Sequence, residues 1–136
     1  MFQIYLLTVL VNCLAGFIIA GSFFRDKQEL CGSFLDLFSA PNAKLSVALV
    51  TLLVGIISLF KVSPTDIVFI GDLLPSAGAI IGGLVLGSYA LSEKMEEPPR
   101  LVAFLMNVTD AISTPLGLVI MIIGLLHAII PTAVIL

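Results

Sequence analysis

The sequence predicts an all-α integral membrane protein whose four transmembrane helices form two tandem helical hairpins. Hydrophobic residues make up 60% of the chain and charged residues 11%, whereas soluble domains are about half apolar and about one-quarter charged. Polar groups this scarce cannot cover a surface facing water, so lipid is expected to cover it. The apolar residues also gather in four long stretches, and the order of features in the first half of the chain recurs in the second.

Each of the four apolar stretches is predicted to be a membrane-spanning helix. A hydrocarbon core about 30 Å thick requires about 20 residues of helix, and a lone strand would leave its backbone groups unpaired in lipid. The stretches are 4–24, 45–60, 67–91 and 115–136. The second is short, but Lys44 and Lys61 at its ends can reach the headgroups. The first lacks a basic leader and a cleavage site, so we expect a retained span.

The distribution of basic residues predicts the orientation of the chain. The connections after the first and third stretches carry five of them, and the link between the second and third stretches carries one: Arg25, Lys27, Lys44, Lys94 and Arg100 against Lys61. Basic residues are enriched in cytoplasmic loops. We therefore expect loops 25–44 and 92–114 in the cytoplasm and both termini outside.

Both cytoplasmic connections contain an apolar piece too short to cross a bilayer. "LCGSFLDLFSAPN" ends the first connection, and "LVAFLMNVTDAISTP" ends the second after the prolines at 98 and 99. Isolated polar residues in such pieces are typical of helices that lie in the headgroup region or re-enter the membrane. We predict one short interfacial or re-entrant helix on the cytoplasmic side of each hairpin.

An internal repeat is predicted from matching segments in the two halves. "GFIIAGSFF" at 16–24 shares two glycines and a serine with "GGLVLGSYA" at 82–90, and "LLVGIISLF" at 52–60 resembles "MIIGLLHAI" at 121–129. Each unit holds two spans, so both copies should point the same way, with any pseudo-two-fold axis along the membrane normal. The prediction is one transmembrane domain, 1–136, with repeat 1 at about 1–62 and repeat 2 at about 66–136.

The most specific shared feature is the pattern D-x-x-S-x-P. It occurs before the second and fourth stretches and comprises Asp36, Ser39, Pro41, Asp110, Ser113 and Pro115. The favoured interpretation is a helix-start signal, because serine caps free N–H groups, proline suits a first turn and an acid suits the positive end of the helix dipole. The alternative is a site at the cytoplasmic face, where two helix N-termini hold an anion or lipid headgroup, or the two acids hold a cation.

Three residues inside the predicted spans are candidates for an ion or transport pathway. Asp72 is the only acid well inside a stretch, and an ionisable group there usually marks a pathway or a buried pair. Pro75 follows within a turn and is expected to bend the helix. His127, the only histidine, is expected in the same leaflet, where an Asp–His pair would respond to protons near neutral pH. The alternatives are an acid that reaches the headgroups and a histidine hydrogen-bonded between helices.

The glycines are assigned to helix packing, and the cysteines to no chemical function. Closely spaced glycines predict helix packing, as small residues let helices approach; these are Gly16, Gly21, Gly78, Gly82, Gly83 and Gly87. The two cysteines have no metal-ligand spacing. We expect no catalytic residue, no metal and no cofactor, because no nucleophile, metal or phosphate motif is present. Without a basic run, nucleic acid is not expected as a partner.

The function predicted from these features is transport. The repeat, Asp72 with Pro75, and the paired helix starts favour a transporter or channel-like protein for an ion, proton or small solute, and not an enzyme. Four helices enclose little interior, so we expect a homo-oligomer or association with other membrane subunits in the lipid bilayer. The alternative is a non-catalytic membrane subunit or scaffold of a larger complex.

Overall fold

The computed structural model describes residues 2–60 and 73–129, and within those ranges the chain is entirely helical, without strands. The helices are α1 Phe2–Ile19, α2 Gly21–Arg25, α3 Glu29–Asp36, α4 Pro41–Phe60, α5 Leu73–Lys94, α6 Arg100–Asp110 and α7 Ser113–Ile129. The predicted all-α class is confirmed. The link at 61–72 and the last seven residues lie outside the described part.

Two helices, α4 with 20 residues and α5 with 22, are long and apolar enough to cross a membrane. A third span results if α6 and α7, which meet at a bend of 85°, are counted as one. The remaining apolar helix, α1, is too short to be counted as a span by its length alone. The described residues therefore supply two or three of the four predicted spans by length and composition, and the arrangement as four spans stays a prediction.

The helix ends correct two of the predicted boundaries. The second apolar stretch, taken from residue 45, belongs to a helix that starts at Pro41, as the helix-start motif predicted, so its length does not depend on Lys44. The first stretch, predicted as one helix over 4–24, breaks at Ala20. The break lets Phe24 turn back onto Phe17, with ring centroids 4.7 Å apart, while Phe34 of α3 packs on Phe17 at 5.7 Å. Aromatic packing thus folds α2 and α3 against the end of α1.

The four long helices run in two directions. Helices α1 and α5 are parallel, because the side chain of Asn12 bonds to Pro75 while Ala15, one turn on, lies opposite Gly82. Helices α4 and α7 run the other way, against α5 and α1 respectively. Consequently α3 and α6 occupy the same end of the bundle, where α1 and α5 end.

Glycines bring α1 onto α7 and α5 onto α4 in closely similar ways. A Cβ atom added to Gly16 would lie 2.5 Å from the carbonyl oxygen of Gly117 and 2.6 Å from the nitrogen of Met121, four residues on. A Cβ atom added to Gly83 would lie 2.9 Å from the carbonyl oxygen of Ala48 and 2.9 Å from the nitrogen of Leu52, again four residues on. Backbones meet directly at both crossings.

A second pair of glycines extends the similarity one turn further. A Cβ atom on Gly124 would lie 2.9 Å from the Cβ of Asn12, and one on Gly55 would lie 3.1 Å from the Cβ of Ala79. By these contacts, Gly16 in the first half of the chain corresponds to Gly83 in the second half. The matching sequence segments had instead paired Gly16 with Gly82, one residue earlier. The polar Asn12 is matched by an alanine, so the two halves differ in the interior.

Candidate functional site

The interior of the bundle contains a group of polar side chains, which we call the polar cluster: Tyr5, Thr8, Asn12, Ser58 and His127. All but Tyr5 are at most 3% exposed, and they come from α1, α4 and α7. The cluster lies toward the end of the bundle opposite α3 and α6. Other buried hydroxyls, such as that of Thr51, bond to a carbonyl of their own helix. The polar cluster instead joins different helices.

Thr8 and Ser58 connect α1 to α4 through their hydroxyl groups, whose oxygen atoms are 2.7 Å apart. The Thr8 hydroxyl also lies 2.8 Å from the carbonyl oxygen of Ile4, to which it donates. A hydroxyl has one hydrogen, so Ser58 must be the donor to Thr8. The oxygen of Ser58 keeps capacity to accept a further hydrogen bond.

Asn12 is fully buried and connects α1 to α5. Its Nδ2 donates to the carbonyl oxygen of Thr8 at 2.9 Å and to that of Pro75 at 3.0 Å. Its Oδ1 is buried and accepts no hydrogen bond from the described residues. A buried polar atom left in this way costs about 1–3 kcal/mol. The oxygen faces Gly78, where an added Cβ atom would lie only 2.8 Å away.

Tyr5 and His127 connect the start of α1 to the end of α7. The Tyr5 hydroxyl donates to the main-chain carbonyl oxygen of His127 and lies 3.3 Å from that of Ala128. The two rings pack with centroids 4.7 Å apart at an angle of 51°. His127 is 2% exposed, so it lies inside the bundle and not on its outer surface.

The predicted pathway residues are only partly covered by the described chain. Pro75 is buried in the first described turn of α5 and accepts the hydrogen bond from Asn12. Asp72 lies outside the described residues, and only two residues before Pro75 are described, so the predicted bend of the helix stays a prediction. The predicted pairing of Asp72 with His127 therefore stays a prediction.

Sequence reasoning named only His127 among the members of the polar cluster and missed the other four, Tyr5, Thr8, Asn12 and Ser58. The available signal was the presence of isolated polar residues within apolar stretches. Serine and threonine are common there because they bond to their own helix, so composition alone does not show which of them join two helices. Asparagine is the stronger signal. The NH₂ group of its amide can bond to a carbonyl of its own helix, but the amide oxygen needs a donor from elsewhere.

The two D-x-x-S-x-P corners fold alike. The Ser39 hydroxyl donates to the carbonyl oxygen of Asp36 at 2.7 Å, and the Ser113 hydroxyl donates to that of Asp110 at 3.2 Å. Each serine thus bonds to a carbonyl at the end of the preceding short helix, α3 or α6, a different partner from the N–H group expected. Proline then occupies the first turn of the next helix, Pro41 in α4 and Pro115 in α7.

Although both corners lie at the same end of the bundle, their acids have different neighbours. The Asp36 carboxylate is 2.8 Å from the guanidinium of Arg25, with both side chains more than half exposed. Asp110 lies beside the side chain of Tyr89 on α5. Helix α3 packs on α2, whereas α6 packs on α5. The geometry gives no support to a common ion or headgroup site at the corners.

The six glycines named as packing residues differ in how closely they are approached. Gly16 and Gly83 lie at backbone crossings, Gly82 faces Ala15 and Ile120, and Gly78 faces Asn12. Gly21 contacts Leu35 of α3, while Gly87 has room for a methyl group, with the Cβ of Ala48 at 3.8 Å. Close helix contact therefore depends on Gly16 and Gly83 far more than on Gly87.

The surface of the bundle has an apolar groove of about 490 Å³ between α1, α3 and α7. Its lining is made by Leu10, Cys13, Leu14, Phe17, Leu30, Cys31, Phe34, Met121 and Leu125. This lining offers almost no polar atom to a polar solute. Among the described residues, no group of three or more His, Cys, Asp or Glu side chains is placed to hold a metal ion.

Fold and interior together define an all-helical, largely apolar protein with two or three helices able to span a membrane and a polar cluster between them. The chain belongs to a family of proteins of unknown function, whose family model matches residues 1–127. No curated protein and no solved structure matches it. The case for a function therefore rests on the geometry of this chain.

Proposed function

We propose that the protein is a membrane-embedded transporter or channel-like protein for a proton, another ion or a small solute, and that the polar cluster forms part of its pathway. The observation that carries the proposal is Asn12, a fully buried amide near the middle of an apolar helix. Polar groups that join helices inside a membrane are costly and mark ion, proton or substrate pathways. Hydrogen bonds between helices account for the NH₂ group of Asn12, whereas its Oδ1, which accepts no hydrogen bond from the described residues, favours a pathway over packing alone.

Exposed apolar side chains support placement of the bundle in lipid. Large aliphatic residues on the outside of all four long helices are about half exposed, among them Leu10 at 55%, Leu53 at 57%, Ile81 at 44% and Val119 at 52%. Continuous apolar surface of this kind is rare on soluble monomers. With 18 residues, α1 is about 27 Å long, close to the thickness of a hydrocarbon core. On this basis α1, α4, α5 and α7 are the four spans of two tandem hairpins.

The short helices fit the headgroup region better than a re-entrant path. Helix α6 is bent by 85° from α7, so it would lie flat when α7 crosses the bilayer. Leu101 and Phe104 on α6 are 69% and 62% exposed, and Leu30 and Leu37 around α3 are 83% and 68% exposed. Amphipathic helices with such a face bury it at the boundary of headgroups and acyl chains.

Asp72 and His127 are the proposed titratable groups of the pathway. Asp72 directly precedes the first described residue of α5, and α5 begins at the end of the bundle where α7 carries His127. Histidine titrates near neutral pH, and an acid within an apolar stretch usually marks a pathway or a buried pair. Proton or cation movement through the polar cluster would use both groups.

The closeness of the crossings favours action as a homo-oligomer. At Gly16 and Gly117 the two helices leave no room for even one added methyl group. A single chain therefore has no wide passage along its axis. Association of several copies would enclose additional space between them, in keeping with the expectation from the sequence.

Flux through reconstituted vesicles tests the proposal. Vesicles containing a pH-sensitive dye should show proton entry that depends on the protein. The rate of entry should fall at least about tenfold in Asp72→Asn, His127→Gln and Asn12→Leu. A tenfold fall corresponds to a barrier raised by about 1.4 kcal/mol. Asp66→Asn and Asn107→Leu serve as matched controls, and both should retain flux. Equal flux in all five variants would refute the pathway.

A second candidate is a non-catalytic subunit or scaffold of a larger membrane complex. The observation in its favour is the apolar groove beside Cys13 and Cys31, whose lining offers almost no polar atom. Absence of flux, together with membrane proteins that stay bound to the chain through purification in mild detergent, would favour this role over transport.

A further inference from the structure

We infer that α2 and α3 form a hinged flap, residues 21–36, which turns about Ala20 to open and close the apolar groove between α1, α3 and α7. The flap supplies one wall of this groove through Leu30, Cys31 and Phe34. The inference concerns movement of the chain and not transport, since the groove and the polar cluster share no residue.

The hinge lies where α1 breaks. At Ala20 the backbone has a ψ of 17°, whereas an α-helix has a ψ of about −42°, and α2 begins at the next residue. Ala20 itself is fully buried, and its nitrogen is 2.5 Å from the position of a Cβ atom added to Gly117 of α7. The chain is therefore fixed up to Ala20 and can turn just after it, as hinges are a few residues at the ends of elements. The corresponding helix of the second half, α5, continues past that point to Lys94 without a break.

Contacts between α2 and α3 hold the flap together as a unit. Leu35, the buried residue of α3, has its side chain 3.4 Å from a Cβ atom added to Gly21 of α2. The guanidinium of Arg25 is 2.8 Å from the carboxylate of Asp36, and the stem of Arg25 lies beside Gly32. Both helices should therefore move together.

The contacts between the flap and the long helices centre on Phe17 of α1. Phe24 and Phe34 pack on its ring, with centroids 4.7 Å and 5.7 Å away. A weaker contact joins the hydroxyl groups of Ser22 and Thr114, whose oxygen atoms are 3.3 Å apart and exposed. All five residues of α2 keep some exposure at the surface, and segments with little buried apolar contact open at a low cost in free energy.

Helix α6, at the same end of the bundle, is the internal reference for a fixed helix. It packs directly on α5 and buries Val102 and Thr109. Asp110 at its end lies beside Tyr89 of α5. We therefore expect α6 to keep its place while the flap moves.

Distances between pairs of spin labels, measured by pulsed electron paramagnetic resonance, test the flap. In a chain with Cys13→Ser and Cys31→Ser, one label is attached to α4 through Ile57→Cys and the other to α3 through Ser33→Cys. The matched control carries Asn107→Cys on α6 in place of Ser33→Cys, at the same distance in sequence before its D-x-x-S-x-P corner. All three labelled positions are exposed and none lines the groove.

We expect a broad or two-peaked distribution of distances between α4 and α3, and a single narrower peak between α4 and α6. A distribution for α3 no broader than that for α6 would overturn the inference.

Removal of the aromatic contact tests where the flap is held. Phe17→Ala should shift the distances between α4 and α3, whereas Leu84→Ala, at the corresponding place in α5, should leave them unchanged. Unchanged distances in Phe17→Ala would contradict a flap held at this ring. Should Phe17→Ala fail to fold, the comparison of α3 with α6 still decides the matter. A broad distribution for α3 in a protein without flux would refute transport but not the flap, and flux with equal widths would refute the flap but not transport.

Discussion

Substitution of Gly117 by alanine is the sharpest test of how the bundle is held together. The new Cβ atom would lie 2.5 Å from the nitrogen of Ala20 and 2.6 Å from the carbonyl oxygen of Gly16. Ordinary contacts begin at 3.4 Å, and both atoms belong to a backbone that cannot rotate away. Helices α1 and α7 must therefore separate by about 1 Å, since carbon atoms pack at about 3.5–4.0 Å.

The cost follows from the contacts that this separation weakens. A crossing with on the order of 20–30 close atom pairs, at about 0.1–0.2 kcal/mol each, is stabilised by roughly 2–6 kcal/mol, of which a 1 Å gap forfeits up to about half. Overpacking elsewhere in proteins costs about 1–3 kcal/mol. Gly87→Ala is the matched control, because it gains the same helix propensity without a clash.

Reversible unfolding in mixed micelles, with dodecyl sulfate as the denaturant, measures the difference between the two variants. We expect Gly117→Ala to have a free energy of unfolding about 1–3 kcal/mol below that of Gly87→Ala. The reasoning is refuted if Gly117→Ala is as stable as Gly87→Ala or more so.

Three further outcomes are expected. In a double-mutant cycle, Thr8→Val and Ser58→Ala should show a coupling of about 0.5–1.7 kcal/mol, as for hydrogen bonds between membrane helices; additive effects would contradict the bond seen between them. Arg25→Gln should lower the free energy of unfolding by less than about 1 kcal/mol because its ion pair is exposed, and a larger loss would show that the pair holds α3 in place. A water-soluble maleimide should modify Cys31, which the proposal places near the headgroups, faster than Cys13 in the middle of α1. The reverse order would contradict the placement of α1 across the bilayer.

Hydropathy predicted where the long helices lie, because a continuous apolar stretch is a local property of the sequence. The prolines at the two corners likewise predicted where α4 and α7 begin, since proline is accepted only in a first turn. These features are local, so a single stretch of sequence contains all that determines them. The break at Ala20 was not predicted, because it depends on the packing of Phe17 against an aromatic residue of α3, distant in sequence.

The polar cluster could not be predicted from local sequence for the same reason. Whether Asn12 faces lipid or a neighbouring helix depends on the rotation of α1, which the crossing at Gly16 sets. In an apolar helix every face has a similar composition, so amphipathicity gives no direction. The candidate site thus follows from the pairing of α1 with α5 and α7, which only the assembled bundle reveals.

The proposal that two hairpins cross the bilayer in the same direction can be tested directly by cysteine labelling. In a chain with Cys13→Ser and Cys31→Ser, the exposed corner positions are replaced one at a time, Ala40→Cys and Ala111→Cys. A membrane-impermeant maleimide should reach both positions from the same side of sealed membranes, and only from that side. Labelling of the two from opposite sides would contradict two hairpins that cross the membrane in the same direction.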